Sequence, residues 1–223
     1  MIVMVSNSTG TEAHRLRAAF PERIGHLFSP QSWRVPFPHY ALDNGAFSAW
    51  KNGTPFDGAA LLRLCHLARG AGHDPRWVLV PDVVTNREAT MALFPEWQGR
   101  LGEFGWPLAF AVQDEMTPAD VPDDAAVVFI GGSTEFKWGT LDMWCETFGR
   151  VHVGRVNTER LLWLAHEAGA ESCDGTGFMR SGPDSKQRDG LWAYLADSEG
   201  VPHHTHGPAQ RRLELPLPAT PPE

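Results

Sequence analysis

The stretch ESCDGTGF, Glu171 to Phe178, places a carboxylate at the end of a short apolar run and follows it with two glycines. An Asp-Gly pair alone is typical of a turn or of a helix N-cap. The same arrangement recurs, however, in other apolar runs of strand length that end on polar residues or glycine. These runs are YALDNGAF (40–47), WVLVPDVV (77–84), LAFAVQDE (108–115), VVFIGGST (127–134) and VHVGRVN (151–157). The repetition predicts strands whose ends share one pocket.

The segments between these runs have helical periodicity. FDGAALLRLCHLARGAG (56–72) and NTERLLWLAHEAGA (157–170) each carry an apolar stripe. NREATMALFPEWQGRLGEFG (86–105) and EFKWGTLDMWCETFG (135–149) are further helix candidates. We expect Pro95 to break the first of these and Gly139 to weaken the second. Alternating strands and helices indicate right-handed βαβ units and a parallel sheet.

Eight strands are predicted, and this number indicates an α/β fold of the TIM-type (β/α)8 barrel class. A doubly wound sheet is the alternative, but it would gather its ligand at a single crevice. Since the first two strands are short, a truncated or degenerate barrel would give the same pattern. The predicted strands are Ile2–Val5, His26–Ser29, Tyr40–Leu42, Val78–Val80, Leu108–Val112, Val127–Ile130, Val151–Val153 and Glu171–Cys173.

Composition fits one barrel domain over residues 1–200, followed by a Pro-rich, irregular tail over residues 201–223. The three cysteines are far apart and form no CxxC pair, so we expect reduced thiols, no disulfide frame and no structural zinc. We expect no cofactor and no metal in the site. The tail histidines His203, His204 and His206 are expected to be solvated. No apolar run reaches the ~18 residues of a membrane span, and no signal peptide is recognisable. We therefore expect a cytoplasmic protein without a membrane partner.

Charge is distributed unevenly along the chain. The net charge of -8 opposes a general nucleic-acid binder, because phosphate binding uses clustered Lys and Arg. Much of the positive charge nevertheless falls in the last third of the chain, where we select Arg155, Arg180, Lys186 and Arg188 as candidate nucleic-acid contacts. A solvated surface with no ligand explains the same pattern equally well.

The motifs LDNGAF, VPDVV, AVQ, FIGGS, VGRV and CDGT, in this order, resemble the tRNA-guanine transglycosylase superfamily. They look closest to the small phage and bacterial branch that inserts 7-deazaguanines into DNA. The resemblance covers roughly residues 40–177 and implies a TIM barrel that exchanges guanine in a polynucleotide for a free deazapurine base. The exchange would pass through a covalent enzyme-sugar intermediate, in the host cytoplasm if the gene is carried by a phage.

Carried over motif by motif, the resemblance implies a role for each strand end. Asp174 matches the nucleophile and Asp43 the general acid/base. Asp82 matches the carboxylate that binds the N1 and exocyclic amine of the base. In the implied base-binding set, Gln113 and the Gly132 backbone contact the carbonyl edge and Phe47 stacks on the base. The set also includes Gly131 and Ser133, on either side of Gly132, and Gly154.

These residue types suit that chemistry. A carboxylate can stabilise the oxocarbenium character that develops at C1′ and can form a sugar ester. A second carboxylate can give a proton to the departing base and take one from the incoming base. A carboxylate also accepts the two donors of a purine's amidine edge, whereas the carbonyl oxygen needs N–H donors. Gly175 after Asp174 is expected to let the sugar-phosphate backbone approach closely.

The chain departs from the tRNA enzymes in lacking their Cys-rich zinc-binding insertion, which weakens tRNA as the substrate. A short barrel would then need base flipping from DNA, or a homodimer or partner subunit that supplies binding surface. Exchange on RNA, release of a base by hydrolysis, and a noncatalytic binding subunit remain alternatives.

Overall fold

The computed structural model describes residues 1–6, 8, 10–180 and 185–198, and within them eight parallel strands form a closed barrel. Helices separate most of the strands. The strands are β1 (Ile2–Met4), β2 (Ile24–Phe28), β3 (Tyr40–Leu42), β4 (Val78–Leu79), β5 (Leu108–Val112), β6 (Val127–Ile130), β7 (Val151–Val153) and β8 (Ser172–Asp174). The helices are α1 (Thr11–Ala19), α2 (Ala46–Lys51), α3 (Gly58–Arg69), α4 (Arg87–Gly102), α5 (Thr134–Thr147), α6 (Glu159–Glu167), α7 (Gly177–Arg180) and α8 (Lys186–Asp197).

The barrel is complete. Each strand pairs in parallel with the next in the chain, and β1 closes the ring against β8, with Met4 opposite Asp174. The predicted (β/α)8 class is confirmed, and the closed ring of eight strands decides against the truncated or degenerate barrel that the sequence left open. Although β1 has only three residues, it completes the ring because it is hydrogen-bonded to β2 on one side and to β8 on the other. Four strands have the predicted bounds, and the others are shifted or resized at their ends by one or two residues.

Alternate residues of each strand face the barrel interior, which is filled by large side chains. Trp77 is fully buried and packs edge-on against Phe129 and His152. At the amino end of the barrel, Glu171 accepts hydrogen bonds from Arg76 and Arg150. Although burial favours the neutral acid, the two guanidinium groups hold the pKa of Glu171 below its usual range. These ion pairs tie strand β8 to the residues that precede strands β4 and β7 at the amino end of the barrel.

Helix α4 continues through Pro95, so the predicted break is wrong. Pro95 is exposed, as is Met91 one turn earlier, and the carbonyl that loses its backbone partner therefore lies on the solvent side of the helix. Phe94, Trp97 and Leu101 are buried on the opposite side and hold the helix against the barrel. Gly139 likewise does not interrupt α5, which runs from Thr134 to Thr147.

The Pro-rich tail over 201–223, with His203, His204 and His206, lies outside the described residues. Among the described helices, none is both long enough and apolar enough to cross a membrane.

Candidate active site

A cavity of about 610 Å³ opens at the carboxyl ends of the strands. Its volume is in the range of small-molecule sites, and it is larger than a purine base alone requires. Of the predicted site residues, those that line it are Asp43, Phe47, Asp82, Gln113, Gly131, Gly132, Arg155, Asp174 and Arg180. The convergence of strand ends that the sequence predicted is therefore observed.

Asp174 is the last residue of β8 and is almost completely buried. Among the described residues, its carboxylate accepts two hydrogen bonds, both at Oδ1: one from Nε2 of His152 at 3.2 Å and one from the backbone N–H of Arg155 at 3.1 Å. The carboxylate is thus held in the cavity by the side chain of His152, in strand β7, and by the backbone N–H of Arg155, two residues after the end of β7.

Asp43 directly follows β3 and is partly buried in the cavity wall. Burial raises the pKa of Asp43 to about 7, and the negative charges of Asp174 and Asp82 act in the same direction. The N–H of Gly45 donates to Asp43 Oδ1 at 3.3 Å and partly opposes this shift. Asp43 can therefore hold or release a proton near neutral pH, as a general acid/base requires.

Two amides orient Asp82. Asn44 Nδ2 donates to Oδ1 and Gln113 Nε2 donates to Oδ2, each at 2.7 Å. Gln113 is fixed in turn because its Oε1 accepts from the N–H of Thr85 at 2.8 Å. Burial raises the pKa of Asp82 to about 6, while the amide hydrogen bonds lower it. Each oxygen of this carboxylate retains acceptor capacity for a ligand.

The turn after β6 presents a backbone donor. The N–H of Gly131 donates to Val112 and that of Ser133 donates to Asp114, whereas the N–H of Gly132 between them has no acceptor among the described residues. Gly132 has φ +65°, and a Cβ there would lie 2.7 Å from Asp114 Oδ2, so glycine is required.

Ser133 and Gly154, which were predicted to bind the base, and Gly175, which was predicted to admit the sugar-phosphate backbone, have other roles. Ser133 lies outside the cavity lining, and its hydroxyl caps α5 by accepting from the N–H of Phe136 at 3.2 Å. Gly154 also lies outside the lining, and its carbonyl accepts from Lys137 Nζ. At Gly175 a Cβ would lie 2.0 Å from the Val156 carbonyl oxygen, so its glycine accommodates the protein backbone instead of a polynucleotide.

Arg155 folds into the cavity, whereas the sequence suggested a surface phosphate contact. Its guanidinium lies over the Phe47 ring, 4.6 Å from the ring centroid, and donates to the Gly132 carbonyl. The residue has φ +60°, and its own N–H is bonded to Asp174. Phe47 and Gly132 are thus already linked across the cavity by one arginine side chain.

Of the other three predicted nucleic-acid contacts, one lines the cavity and two do not. Arg180 lines the cavity and is exposed, whereas Lys186 and Arg188 lie in the first turn of α8, outside the lining. Lys51, at the end of α2, is an exposed cation on the cavity wall that sequence analysis missed. Within the described ranges, no group of three or more His, Cys, Asp or Glu residues is arranged to hold a metal ion.

Three further residues were missed. Asn44 could have been noticed beside Asp43, since an Asp-Asn-Gly run after a strand is a strong turn signal. His152 and Lys137 gave no such signal, because a lone His in a strand and a lone Lys in a helix are ordinary. Burial lowers the pKa of Lys137 to about 7, the charge of Arg155 lowers it further, and Asp174 opposes both.

No known protein family and no curated protein matches the sequence. Solved structures do share the fold. The Amycolatopsis orientalis BexX/CysO complex is similar with a TM-score of 0.51 and 15% identity, covering 90% of this chain and 91% of that chain. The native KDPGal structure is similar with a TM-score of 0.52 and 12% identity, covering 90% and 95%. A candidate fructose-1,6-biphosphate aldolase from Coccidioides immitis is similar with a TM-score of 0.53 and 14% identity, covering 90% and 87%. At these identities the likeness shows the barrel fold alone.

Proposed function

We propose that this protein is a transglycosylase that exchanges guanine in DNA for a 7-deazaguanine base through a covalent enzyme-sugar intermediate. The observation that carries the proposal is the presence of Asp174, Asp43 and Asp82 in one cavity at the strand ends. Their environments differ: Asp174 is anchored by two donors, Asp43 has a pKa of about 7, and Asp82 is oriented by two amides. Different environments give similar acids different roles.

In the first half-reaction, a carboxylate oxygen of Asp174 attacks C1′ of the target nucleotide. The C1′–N9 bond breaks, its electron pair leaves with guanine, and Asp43 supplies the proton that neutralises the departing base. In the second half-reaction, Asp43 takes a proton from the incoming 7-deazaguanine. The nitrogen of that base then attacks C1′, and the Asp174 carboxylate is released. No water is consumed, and both acids return to their starting states.

Base recognition would use the groups between β3 and β6. Asp82 would accept from N1–H and from the exocyclic amine of guanine, since each of its oxygens uses one acceptor site for Asn44 or Gln113. The Gly132 N–H and the second amide hydrogen of Gln113 would donate to the base carbonyl. Phe47 would stack on the base once the Arg155 guanidinium has moved away from its ring.

The polymer would lie across the cavity mouth, where Arg180 and Lys51 supply exposed positive charge. The target nucleotide has to leave the base stack to reach Asp174, because that carboxylate lies at the bottom of the cavity. The missing zinc insertion favours DNA over tRNA, and RNA remains the alternative substrate of the same site. A homodimer or partner subunit would add binding surface to the same mouth.

The positions of the lysines disfavour Schiff-base chemistry in this barrel. Schiff-base formation requires an amine that can reach a bound carbonyl. Lys51 is the lysine that lines the cavity in the described part of the chain, and its exposed side chain lacks the desolvated surroundings that activate a Schiff-base amine. The Lys137 amine is buried and is bonded to the Gly154 carbonyl.

The proposal is tested by incubating the protein with a DNA oligonucleotide that carries radiolabelled guanine. Label release is measured with and without a free 7-deazaguanine. We expect release that depends on the added base and leaves an intact strand. Release with abasic sites would indicate a base-releasing N-glycosidase instead, and no release from DNA or RNA would indicate a noncatalytic binding protein.

The pH dependence of the reaction follows from the two raised pKa values. Adduct formation should decline as the pH rises through about 7, because Asp43 then lacks the proton for the departing base. Guanine binding should weaken as the pH falls through about 6, because a protonated Asp82 no longer accepts two hydrogen bonds. Because the charges of Asp43, Asp82 and Asp174 influence one another, the two apparent pKa values of the pH profile belong to the three acids together and not to single residues.

Single-turnover rates measured across this pH range provide the test, with the Asp43→Asn variant as the comparison. The variant should lose roughly 10²- to 10⁴-fold in rate together with the alkaline limb. A wild-type profile that stays flat through both values would contradict the assignment of these acids.

Polymer binding should depend on salt. The affinity for a DNA oligonucleotide should fall linearly on a log-log plot, because phosphate contacts release condensed counterions. The Arg180→Gln variant should bind all sequences more weakly and reduce the slope by about one. Arg100→Gln is the matched control, since Arg100 is exposed on α4 and lies outside the cavity. An affinity that is insensitive to salt, or an unchanged slope in Arg180→Gln, would remove the polymer from this surface.

A further inference from the structure

We propose that Asp174 attacks through Oδ2, and that His152 and Lys137 are positioning residues that hold its other oxygen, Oδ1, through two separate connections. The inference rests on the proposed function and assigns two residues to it that the sequence motifs did not indicate. Neither residue lines the cavity, so both would act through Asp174 and not on the substrate.

The first connection is a series of two buried hydrogen bonds inside the barrel, from Ser172 through His152 to Asp174. His152 Nε2 lies 3.2 Å from Asp174 Oδ1, and His152 Nδ1 lies 2.8 Å from the hydroxyl of Ser172. A carboxylate only accepts, so Nε2 carries a hydrogen, and in the neutral imidazole Nδ1 then accepts from Ser172. His152 and Ser172 are fully buried, and every polar side-chain atom of these two residues has a partner.

The imidazole ring is itself fixed by packing. It stacks on Phe129 with a centroid distance of 4.9 Å and meets Trp77 edge-on at 4.8 Å. A donor held on two sides by aromatic rings defines one direction for the Asp174 carboxylate. This matters because in-line attack at C1′ tolerates little misplacement of the attacking oxygen.

The second connection passes through a single peptide unit. The N–H of Arg155 donates to Asp174 Oδ1 at 3.1 Å, and the carbonyl of the same peptide, that of Gly154, accepts from the buried amine of Lys137. A donor on the carbonyl polarises the amide and strengthens its N–H as a donor. Lys137 thus acts on Asp174 from helix α5 without touching it.

Both connections end on Oδ1, and among the described residues no hydrogen bond reaches Oδ2. Oδ2 is therefore the oxygen that is available for bond formation with C1′. After attack, Oδ1 becomes the carbonyl oxygen of the sugar ester and keeps both donors. In the second half-reaction these donors stabilise the charge that returns to the carboxylate as the C1′–Oδ2 bond breaks.

The test uses substitutions that keep volume and remove one connection. His152→Phe retains an aromatic ring against Phe129 and Trp77 but has no donor, and His152→Gln restores an N–H in a similar place. Lys137→Met keeps the apolar stem and removes the amine. His26→Phe is the matched control, because His26 is an equally buried strand histidine that is bonded to the Ser8 carbonyl and lies outside the cavity lining.

Two quantities are measured for each variant: the single-turnover rate of covalent adduct formation with guanine-containing DNA, and the affinity for free guanine. We expect His152→Phe to slow adduct formation roughly 10- to 100-fold with unchanged guanine affinity. His152→Gln should recover most of that loss, Lys137→Met should be slowed less than His152→Phe, and His26→Phe should form the adduct at the wild-type rate.

The outcomes separate this inference from the proposed function. Wild-type rates in folded His152→Phe and Lys137→Met would overturn the inference alone. A parallel loss of rate and guanine affinity in these variants, with no rescue by His152→Gln, would also overturn it, because that pattern indicates a general packing defect. An absence of adduct in the wild-type protein would overturn the proposed function and this inference with it.

Discussion

The Asp174→Asn variant should fold normally and lose at least about 10⁴-fold in exchange rate, with no denaturant-resistant protein-DNA adduct. Asparagine has nearly the same volume as aspartate, and its carbonyl oxygen can still accept from His152 and from the Arg155 N–H. Its neutral amide cannot form the sugar ester, because it lacks the charge and nucleophilicity of a carboxylate. The loss should therefore concern chemistry and not the fold.

This prediction is measured with denaturing gels of protein incubated with guanine-containing DNA, alongside thermal unfolding. Asp124→Asn is a suitable control, since that aspartate bonds to Gln98 on the surface and lies outside the cavity. An adduct that persists in Asp174→Asn would assign the nucleophile to another residue.

The Asp82→Ala variant should show the second large effect, a loss of about 3–5 kcal/mol in transition-state binding. The two guanine donors would lose their acceptor inside the cavity. The amides of Asn44 and Gln113 would also lose the carboxylate that each now contacts at 2.7 Å. Because these groups lie at the cavity wall, we expect guanine recognition to suffer more than stability.

Competition of free guanine against adduct formation measures this effect directly. Asp82→Asn is the informative partner variant, because it keeps the volume but replaces one acceptor with a donor and should be nearly as impaired. A thermal midpoint close to that of the wild type is expected for both. Near-normal guanine affinity in Asp82→Ala would remove Asp82 from base recognition.

The sequence predicted the fold and the cavity for a specific physical reason. Strands buried on both faces appear as apolar runs, and in a parallel barrel their carboxyl ends have to meet on one side. The polar residues that end those runs, among them Asp43, Asp82 and Asp174, therefore had to converge. The prediction depended on the order of the runs and not on any single motif.

The contacts of His152 and Lys137 around Asp174 could not be predicted from the pattern of apolar runs. The contact of His152 with Asp174 requires the register of β7 against β8, which places His152 opposite Ser172. A shift by one residue would turn His152 away from the interior. Lys137 reaches the site from a helix, so its contact depends on how α5 packs. Helix capping by Ser133 and the backbone contact at Gly175 are likewise local features that a motif cannot distinguish from ligand binding.

The most direct test of the central claim is nucleoside mass spectrometry of DNA from cells that express this protein and are supplied with a 7-deazaguanine. Cells that express the Asp174→Asn variant serve as the control, and tRNA is analysed from the same cultures. We expect a deazaguanine deoxynucleoside in the DNA of the wild-type cultures and none in the DNA of the variant cultures. Unmodified DNA, with the deazaguanine confined to tRNA or absent from both, would contradict that claim.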